Sequence, residues 1–168
     1  MLIAPATADD ARAVAQIHVE AWRAAYVGLL ADDYLVALSV DKRETMWREA
    51  IAAQQPELLV ARVDGRVAGW VSFGASRDEG AAAEVGEVWA IYLDPAHLST
   101  GIGRALWLRA RERLIERGFA SAMLWVLVGN ARAIRFYQHA GFSPDMGSAK
   151  RCTIGGRKLE ELRYSTSL

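Results

Sequence analysis

The sequence predicts a mixed α/β fold in one domain spanning residues 1–168. Three patterns carry this prediction. Apolar residues recur at helical spacing near the N-terminus, a period-two segment surrounds the turn Asp64-Gly65, and two unalternating apolar runs follow farther along. With 52% hydrophobic and 24% charged residues, the composition is that of a folded globular chain.

The N-terminal third favours helices. Thr7, followed by two aspartates, predicts a helix start, and apolar residues then recur every three or four positions to about residue 21. A break at Gly28 precedes further helical segments at 32–38 and 41–54, the second ending before Pro56. The aromatic residues Trp22 and Tyr26 are interpreted either as ordinary core or as the border of a substrate pocket.

The middle of the chain predicts a β-hairpin and then a βαβ unit. The segments 58–63 and 66–74 are the arms of the hairpin, and residues 76–83 form a loop. Residues 88–93 and 122–128 are unbroken apolar runs typical of interior strands. A helix from Gly101 to about Arg117, ended by Gly118, connects them, so the two strands should run parallel.

The last third predicts one helix and a second hairpin. Asn130 is suited to cap a helix over 131–140, which Gly141 ends. The turn Gly155-Gly156 lies between the strand-forming segments 150–154 and 157–164.

A phosphate-bearing ligand is expected at residues 98–105. The first amide groups of a helix lack acceptors and its dipole favours anions, while Gly101 and Gly103 allow a phosphate to approach the backbone. A dinucleotide fingerprint is the alternative. It is disfavoured because the third glycine is absent and the segment follows an antiparallel hairpin.

Charge and cysteine content exclude several classes of function. Twenty basic residues balance twenty acidic ones, so we expect neither nucleic acid nor a membrane surface as partner. Cys152 is the sole cysteine, which excludes an internal disulfide, and the three histidines are dispersed, so no metal site is expected. The chain has no apolar run of membrane-spanning length and no signal-peptide pattern, so cytoplasmic residence is expected.

Residues 86–142 resemble the GNAT superfamily of N-acetyltransferases. The superfamily's loop pattern Gln/Arg-x-x-Gly-x-Gly/Ala corresponds to Leu98-Ser99-Thr100-Gly101-Ile102-Gly103, after a strand ending in IYLDP. Its later pattern Asn-x-x-Ala-x-x-Phe-Tyr-x-x-x-Gly-Phe is matched in register from Asn130 to Phe142. Leu98 replaces the usual Gln or Arg and Ser99 a frequent Gly, which leaves the main-chain donors in place.

The resemblance implies an acyl-CoA N-acyltransferase fold and a cofactor site for acetyl-CoA. The two parallel strands would splay apart, and the backbone of Ile91, Tyr92 and Leu93 would pair with pantetheine in the gap. Amides of Leu98, Ser99, Thr100, Gly101, Ile102, Gly103, Arg104 and Ala105 would hold the pyrophosphate. Asn130, Ala133 and Phe136 are assigned to the same site, although Asn130 is equally suited to serve only as a helix cap.

The resemblance also implies catalytic roles. Tyr137 corresponds to the tyrosine often proposed to protonate the leaving thiolate, and Glu87 to the glutamate that acts as general base in some members, with Glu84 in reserve. The alternatives are a core aromatic and a solvent-facing carboxylate.

The expected activity is direct acetyl transfer from acetyl-CoA to a primary amine of a small molecule or peptide. A non-catalytic CoA-binding sensor or assembly module is the alternative. Trp22 and Tyr26 are the candidate acceptor-binding residues, and a homodimer is expected from superfamily habit.

Overall fold

The computed structural model describes all residues 1–168 as an eight-stranded mixed sheet with helices on both faces, which confirms the predicted fold class. The strands are β1 Leu2–Pro5, β2 Glu57–Val63, β3 Arg66–Ala75, β4 Val85–Leu93, β5 Ser121–Leu127, β6 Ser143–Pro144, β7 Lys150–Ile154 and β8 Arg157–Ser167. The helices are α1 Ala11–Ala25, α2 Asp32–Val36, α3 Val40–Ala53, α4 Ile102–Glu116 and α5 Ala131–His139. Across the sheet the order is β1-β2-β3-β4-β5-β8-β6, and β7 pairs with β8. No helix combines the length and apolar character needed to cross a membrane.

Both faces of the sheet are buried by helices. On one face, Leu106 and Leu114 of α4 pack in a core with Phe73 and Leu124 from the strands. On the other face, Val14 of α1 and Trp47 of α3 pack against Val60 and Trp70. A strand covered on two sides needs apolar residues at successive positions, which explains why the runs in this chain do not alternate.

The parallel pair β4 and β5 separates partway along its length. The two strands are joined through α4, and their pairing is confined to Val85 with Ser121, Gly86 with Ala122 and Glu87 with Met123. Beyond Glu87, the edge of β4 that faces β5 has no pairing partner as far as Leu93. The parallel direction is therefore confirmed, and the strands splay as the resemblance implied.

A β-bulge bends β4 where it leaves β5. Ser72 of β3 pairs with Ala90 and Phe73 pairs with Val88, so Trp89 is the extra residue. Bulges increase local twist and turn a strand away from its neighbour. This strand also begins at Val85, earlier than the predicted residue 88, because Gly86 and Glu87 are residue types that are depleted in strands and give no strand signal.

Both predicted hairpins are present. Asp64 and Gly65 have φ of 49° and 78°, the two positive values that a tight two-residue turn requires. The second turn, at Gly155 and Gly156, likewise has φ of 55° and 77°. The strand after it, β8, extends to Ser167 rather than residue 164 because its second half pairs with β5 and β6.

Two short strands have no counterpart in the sequence prediction. Strand β1 lies at the sheet edge against β2, and β6 pairs with β8 over only two positions. Four and two residues are too few to show a period, so only the tertiary pairing reveals them.

The predicted helices lie within a few residues of their expected bounds. Thr7 caps a short 3-10 turn, whose Asp10 accepts a 2.8 Å hydrogen bond from the Thr7 amide, and α1 follows directly. Helix α3 begins one residue before the predicted start, after Ser39, whose hydroxyl accepts from the Lys42 amide. Helix α2 ends at Val36, short of the predicted residue 38.

His18 lies in an aromatic cluster between α1 and the sheet. Its Nδ1 accepts a 3.1 Å hydrogen bond from Nε1 of Trp47, and its ring stacks on Tyr92 at 5.3 Å between centroids. Burial, with a smaller contribution from the positive charge of Arg43, lowers the pKa of His18 to about 3. The imidazole is therefore neutral in the folded protein at pH 7.

This burial predicts an acid-sensitive component of stability. In the unfolded chain His18 regains its ordinary pKa of 6.5 and binds a proton first as pH falls, so unfolding becomes easier between pH 6.5 and about 3. Within this range, binding of this one proton lowers the free energy of unfolding by about 1.4 kcal/mol per pH unit. The variant His18→Gln, which keeps an acceptor for Trp47, should show a shallower fall of unfolding free energy in denaturant titrations. Parallel curves for the two proteins would contradict the assignment.

Candidate active site

The gap between β4 and β5 opens into a cavity of about 580 Å³. Strand β4 and the loop after it form one wall, and α5 forms another. The predicted cofactor and catalytic residues that line it are Ile91, Tyr92, Leu93, Leu98, Ser99, Gly101, Gly103, Arg104, Asn130, Ala133, Phe136 and Tyr137. The fold thus brings together two motifs that lie some thirty residues apart in the sequence.

The loop before α4 presents a row of free amide groups. None of the amides from Ser99 to Arg104 donates to a backbone or side-chain acceptor in the protein. Ser99 and Gly101 have positive φ, at 63° and 89°, which folds the loop back on itself. Successive free amides in such a turn, at the start of a fifteen-residue helix, form an anion-binding concavity.

Three predicted loop residues do not line the cavity. The Thr100 hydroxyl donates to the carbonyl of His97 at 2.7 Å, and the Ile102 side chain is buried in the core under α4. The amide of Ala105 donates to the carbonyl of Gly101 at 3.0 Å, so it is not available to a ligand. The amide of Leu98 likewise donates to the carbonyl of Pro95 at 3.4 Å, so the free donors run from Ser99 to Arg104, one residue short of the prediction at each end.

Arginines that the sequence analysis did not single out add positive charge to the cavity. Arg132 and Arg135 of α5 line it together with the predicted Arg104. Their spacing places them on one side of α5 with Ala133 and Phe136, and that spacing was the available signal. Guanidinium groups suit phosphate oxygens, so the cavity pairs free amides with cations.

Helix α1 contributes small side chains to the cavity. Ala21, Ala24 and Ala25 line it, whereas the predicted acceptor residues Trp22 and Tyr26 do not. Trp22 instead donates a 2.9 Å hydrogen bond from Nε1 to the hydroxyl of Tyr92, which does line the cavity. Trp22 and Tyr26 therefore lie behind the residues that line the cavity.

Tyr137 lies in the cavity wall with an uncommitted hydroxyl. Its ring packs in the core with Phe136 and Phe142. Its hydroxyl oxygen makes no hydrogen bond to another group of the protein, although the residue lines the cavity. Burial, and then the nearby Tyr26, raise the pKa of Tyr137 above its ordinary value of 10. The phenol therefore keeps its proton at neutral pH and is available as a donor.

Asn130 fulfils the capping role and also borders the cavity. Its Oδ1 accepts a 3.2 Å hydrogen bond from the Ala133 amide at the start of α5. The same residue is among those lining the cavity.

Glu87 lies at the last paired position before the strands separate. Its side chain points away from α4, because a Cβ on the preceding Gly86 would meet Leu114 on that helix. Glu87 is 1% exposed and does not line the cavity. Its Oε2 accepts from the Arg77 amide at 2.8 Å, and its Oε1 is ion-paired with the Arg77 guanidinium. The reserve candidate Glu84 is exposed in the loop before β4.

Arg77 covers Glu87 from the β3–β4 loop. Its guanidinium also stacks over the Trp89 ring, 4.3 Å from the centroid, and its side chain remains 54% exposed. The Arg77 side chain therefore lies over the Glu87 carboxylate on the side of this loop.

Comparison with known proteins assigns the family. The sequence model of the Acetyltransferase (GNAT) family matches residues 14–142, most of the chain. The chain belongs to the GNAT family. It is 34% identical over 155 residues to YuaI of Bacillus subtilis, an uncharacterized N-acetyltransferase, covering 92% of this chain and 86% of that protein.

Solved GNAT structures share the fold. PaiA N-acetyltransferase from Thermoplasma acidophilum, determined in complex with coenzyme A, superposes with a TM-score of 0.79 at 20% identity over the whole of both chains. YncA from Salmonella typhimurium, determined with acetyl-CoA, gives a TM-score of 0.76 at 26% identity, covering 99% of this chain and 93% of that one. Together with the family match, these relatives support an N-acetyltransferase that uses acetyl-CoA as co-substrate.

The free amides of the loop lead to a binding prediction. Gly101→Asp would place a carboxylate at the anion site and should weaken CoA binding by about 100-fold or more, measured by calorimetric titration. Gly118→Asp is the matched control, because Gly118 at the other end of α4 also has positive φ, 85°, and open space around it. Equal affinity of the two variants for CoA would contradict the assignment of the loop.

Proposed function

We propose that this GNAT enzyme transfers the acetyl group of acetyl-CoA directly to a primary amine of a small molecule or peptide. The observation that carries the proposal is one cavity with an anion-binding loop at one part of its wall and the uncommitted hydroxyl of Tyr137 at another. The first feature fits the pyrophosphate of the co-substrate, and the second fits a proton donor for its sulfur.

The residues of the cavity are proposed to hold acetyl-CoA by its phosphates and its extended arm. The amides from Ser99 to Arg104 bind the pyrophosphate, with Arg104, Arg132 and Arg135 supplying positive charge. The unpaired edge of β4 at Ile91, Tyr92 and Leu93 offers backbone groups to pantetheine, as an added strand would. Ala133 and Phe136 of α5 cover the opposite side.

Transfer requires a neutral amine and a proton for the departing thiolate. The amine nitrogen forms a bond to the acetyl carbon, the carbon–sulfur bond breaks, and Tyr137 gives its proton to the thiolate. A phenol with a raised pKa is a weak acid towards water. A thiolate at hydrogen-bond distance is nonetheless a suitable acceptor, because the proton crosses a single hydrogen bond and the phenolate that remains regains a proton from solvent after the thiol has formed. The enzyme contributes mainly position and this proton.

Glu87 is proposed to receive the proton lost by the amine, through a water molecule. Both of its oxygens are engaged by Arg77, so direct contact with the acceptor requires Arg77 to move, whereas a bridging water does not. The support is its place at the end of the paired register, beside the point where the strands separate.

A non-catalytic CoA-binding module is not favoured. The family and its N-acetyltransferase relatives are enzymes by description, and binding alone would not require a free phenol in the cavity wall.

We further propose cytoplasmic residence and a homodimer. The single cysteine supports the first, and superfamily habit supports the second.

Tyr137→Phe should lower kcat by about 100-fold or more, because the thiolate then leaves without a proton donor. CoA affinity should stay the same, since no phosphate contact changes. Thiol release from acetyl-CoA in the presence of amine measures the rate. Tyr164→Phe is the matched control, as Tyr164 is buried in the same core but does not line the cavity. Equal rates for the two variants would refute the role of Tyr137.

Glu87→Gln should lower activity most strongly at neutral pH and least at high pH, where the acceptor is already deprotonated in solution. Rates are measured from pH 6 to about 10, alongside CoA affinity, which should not change. Glu84→Gln serves as the control because Glu84 is exposed outside the site. A loss by the same factor at every pH would show that Glu87 supports the structure only.

A further inference from the structure

Tyr92 of β4 reaches the cavity from the α1 side of the sheet. Its ring packs with Trp70 and other residues under α1, whereas Tyr137 belongs to the core under α4. Both tyrosines line the cavity that opens between β4 and β5. A ligand in this gap therefore has a phenol on each side of the sheet.

Three aromatic neighbours fix the position of Tyr92. Its ring stacks on His18, 5.3 Å between centroids, and meets the Trp70 ring edge-on at 5.1 Å. Nε1 of Trp22 donates a 2.9 Å hydrogen bond to the Tyr92 hydroxyl oxygen. Because an indole N–H can only donate, this bond uses the oxygen of Tyr92 as an acceptor and leaves its proton for another partner.

Tyr26 and Asn130 leave the same proton unused. Oδ1 of Asn130 already accepts from the Ala133 amide, so its side-chain nitrogen is left to act as a donor. Burial raises the pKa of Tyr26, and the side chains of Tyr92 and Asn130 lower it as hydrogen-bond partners. If Asn130 donates to Tyr26, the proton of Tyr26 is directed to the oxygen of Tyr92. That oxygen then accepts twice, and its own proton is available to the cavity that Tyr92 lines.

Acetyl transfer needs a donor for oxygen as well as one for sulfur. Attack of an amine on a thioester moves negative charge onto the carbonyl oxygen, and fixed donors aimed at that oxygen stabilise the charge. Oxygen and sulfur are bonded to the same carbon, so a phenol across the gap from Tyr137 is suited to the oxygen. Burial, and then the charge of Tyr26, raise the pKa of Tyr92, so its phenol keeps its proton at neutral pH.

We propose that Tyr92 is a further catalytic residue, whose hydroxyl donates a hydrogen bond to the carbonyl oxygen of the bound acetyl group. The inference rests on the proposed acetyl transfer. The amine nitrogen forms a bond to the carbonyl carbon, and the electron pair of the carbonyl bond moves to the oxygen and returns as the carbon–sulfur bond breaks. Tyr92 keeps its proton throughout, and Tyr137 supplies the proton of the thiolate. Trp22 is a positioning residue that acts through Tyr92.

Tyr92→Phe should lower kcat by about 100-fold and leave CoA affinity unchanged, because CoA has no acetyl oxygen. Thiol release with the primary amine that the unmodified enzyme acetylates fastest gives kcat, and calorimetric titration gives the affinity. Tyr34→Phe is the matched control, because Tyr34 packs in the same group as Trp22 but does not line the cavity. Equal kcat in the two variants, or weaker CoA binding by Tyr92→Phe, would overturn the assignment.

A double-mutant cycle tests the part played by Trp22. Trp22→Phe keeps an aromatic ring beside His18 and Tyr26 but removes the N–H donor, so it should lower kcat by about tenfold. In the Tyr92→Phe background the same change should have no further effect, since the hydroxyl that it positions is gone. A purely structural Trp22 would lower kcat by the same factor in both backgrounds, and that result would refute the positioning role.

The infrared band of bound acetyl-CoA, labelled with 13C at the carbonyl carbon, tests the contact without turnover. A hydrogen bond to the carbonyl oxygen lowers its stretching frequency. The band should therefore lie at higher frequency in Tyr92→Phe than in the unmodified protein and in Tyr34→Phe. Coincident bands in all three proteins would overturn the contact.

These outcomes are distinct from failure of the proposed function. Absence of CoA binding, acetylation of no primary amine by the unmodified protein, or full activity of Tyr137→Phe would refute the proposed transfer. In a protein that binds acetyl-CoA, the infrared band still decides whether Tyr92 contacts the carbonyl oxygen, whatever the acceptor is.

Discussion

The short pairing between β4 and β5 is the constraint on which the site depends. Three residue pairs in parallel register join the strands, and the bulge at Trp89 then turns β4 away from β5. Because a strand edge with unpaired amide and carbonyl groups is unfavourable in a buried place, the separated edge of β4 calls for another extended chain. The cavity beside it provides the room for one. The sheet is thus left incomplete where an extended substrate can complete it.

The same separation places the anion site at the end of the gap. Helix α4 must cross from the end of β4 to the start of β5, so its N-terminus lies beside the point where β4 stops. Its free amides and the arginines of α5 then face one cavity, although they come from different motifs. On the opposite face of the sheet, Glu87 is ion-paired with Arg77 and Asp78 with Arg163.

The sequence was sufficient for local features and insufficient for contacts between distant segments. Features that depend only on neighbouring residues were predictable, and these are the Asp64-Gly65 turn, the glycine loop and the cap at Asn130. The pairing of Glu87 with Arg77 joins a strand to a loop that carries no pattern of its own, and the edge strand β1 is too short to show a period. Arg132 and Arg135 could have been found from their spacing on α5, but only with the N-terminus of α4 placed next to them.

Amide hydrogen exchange, followed residue by residue with and without CoA, tests the central claim most directly. Without the ligand, the amides from Ser99 to Arg104 have no acceptor and should exchange rapidly. With CoA bound, these amides and those of β4 from Val88 to Leu93 that face the gap should become protected together. Protection of another part of the chain, with the loop amides still exchanging freely under saturating CoA, would contradict the account.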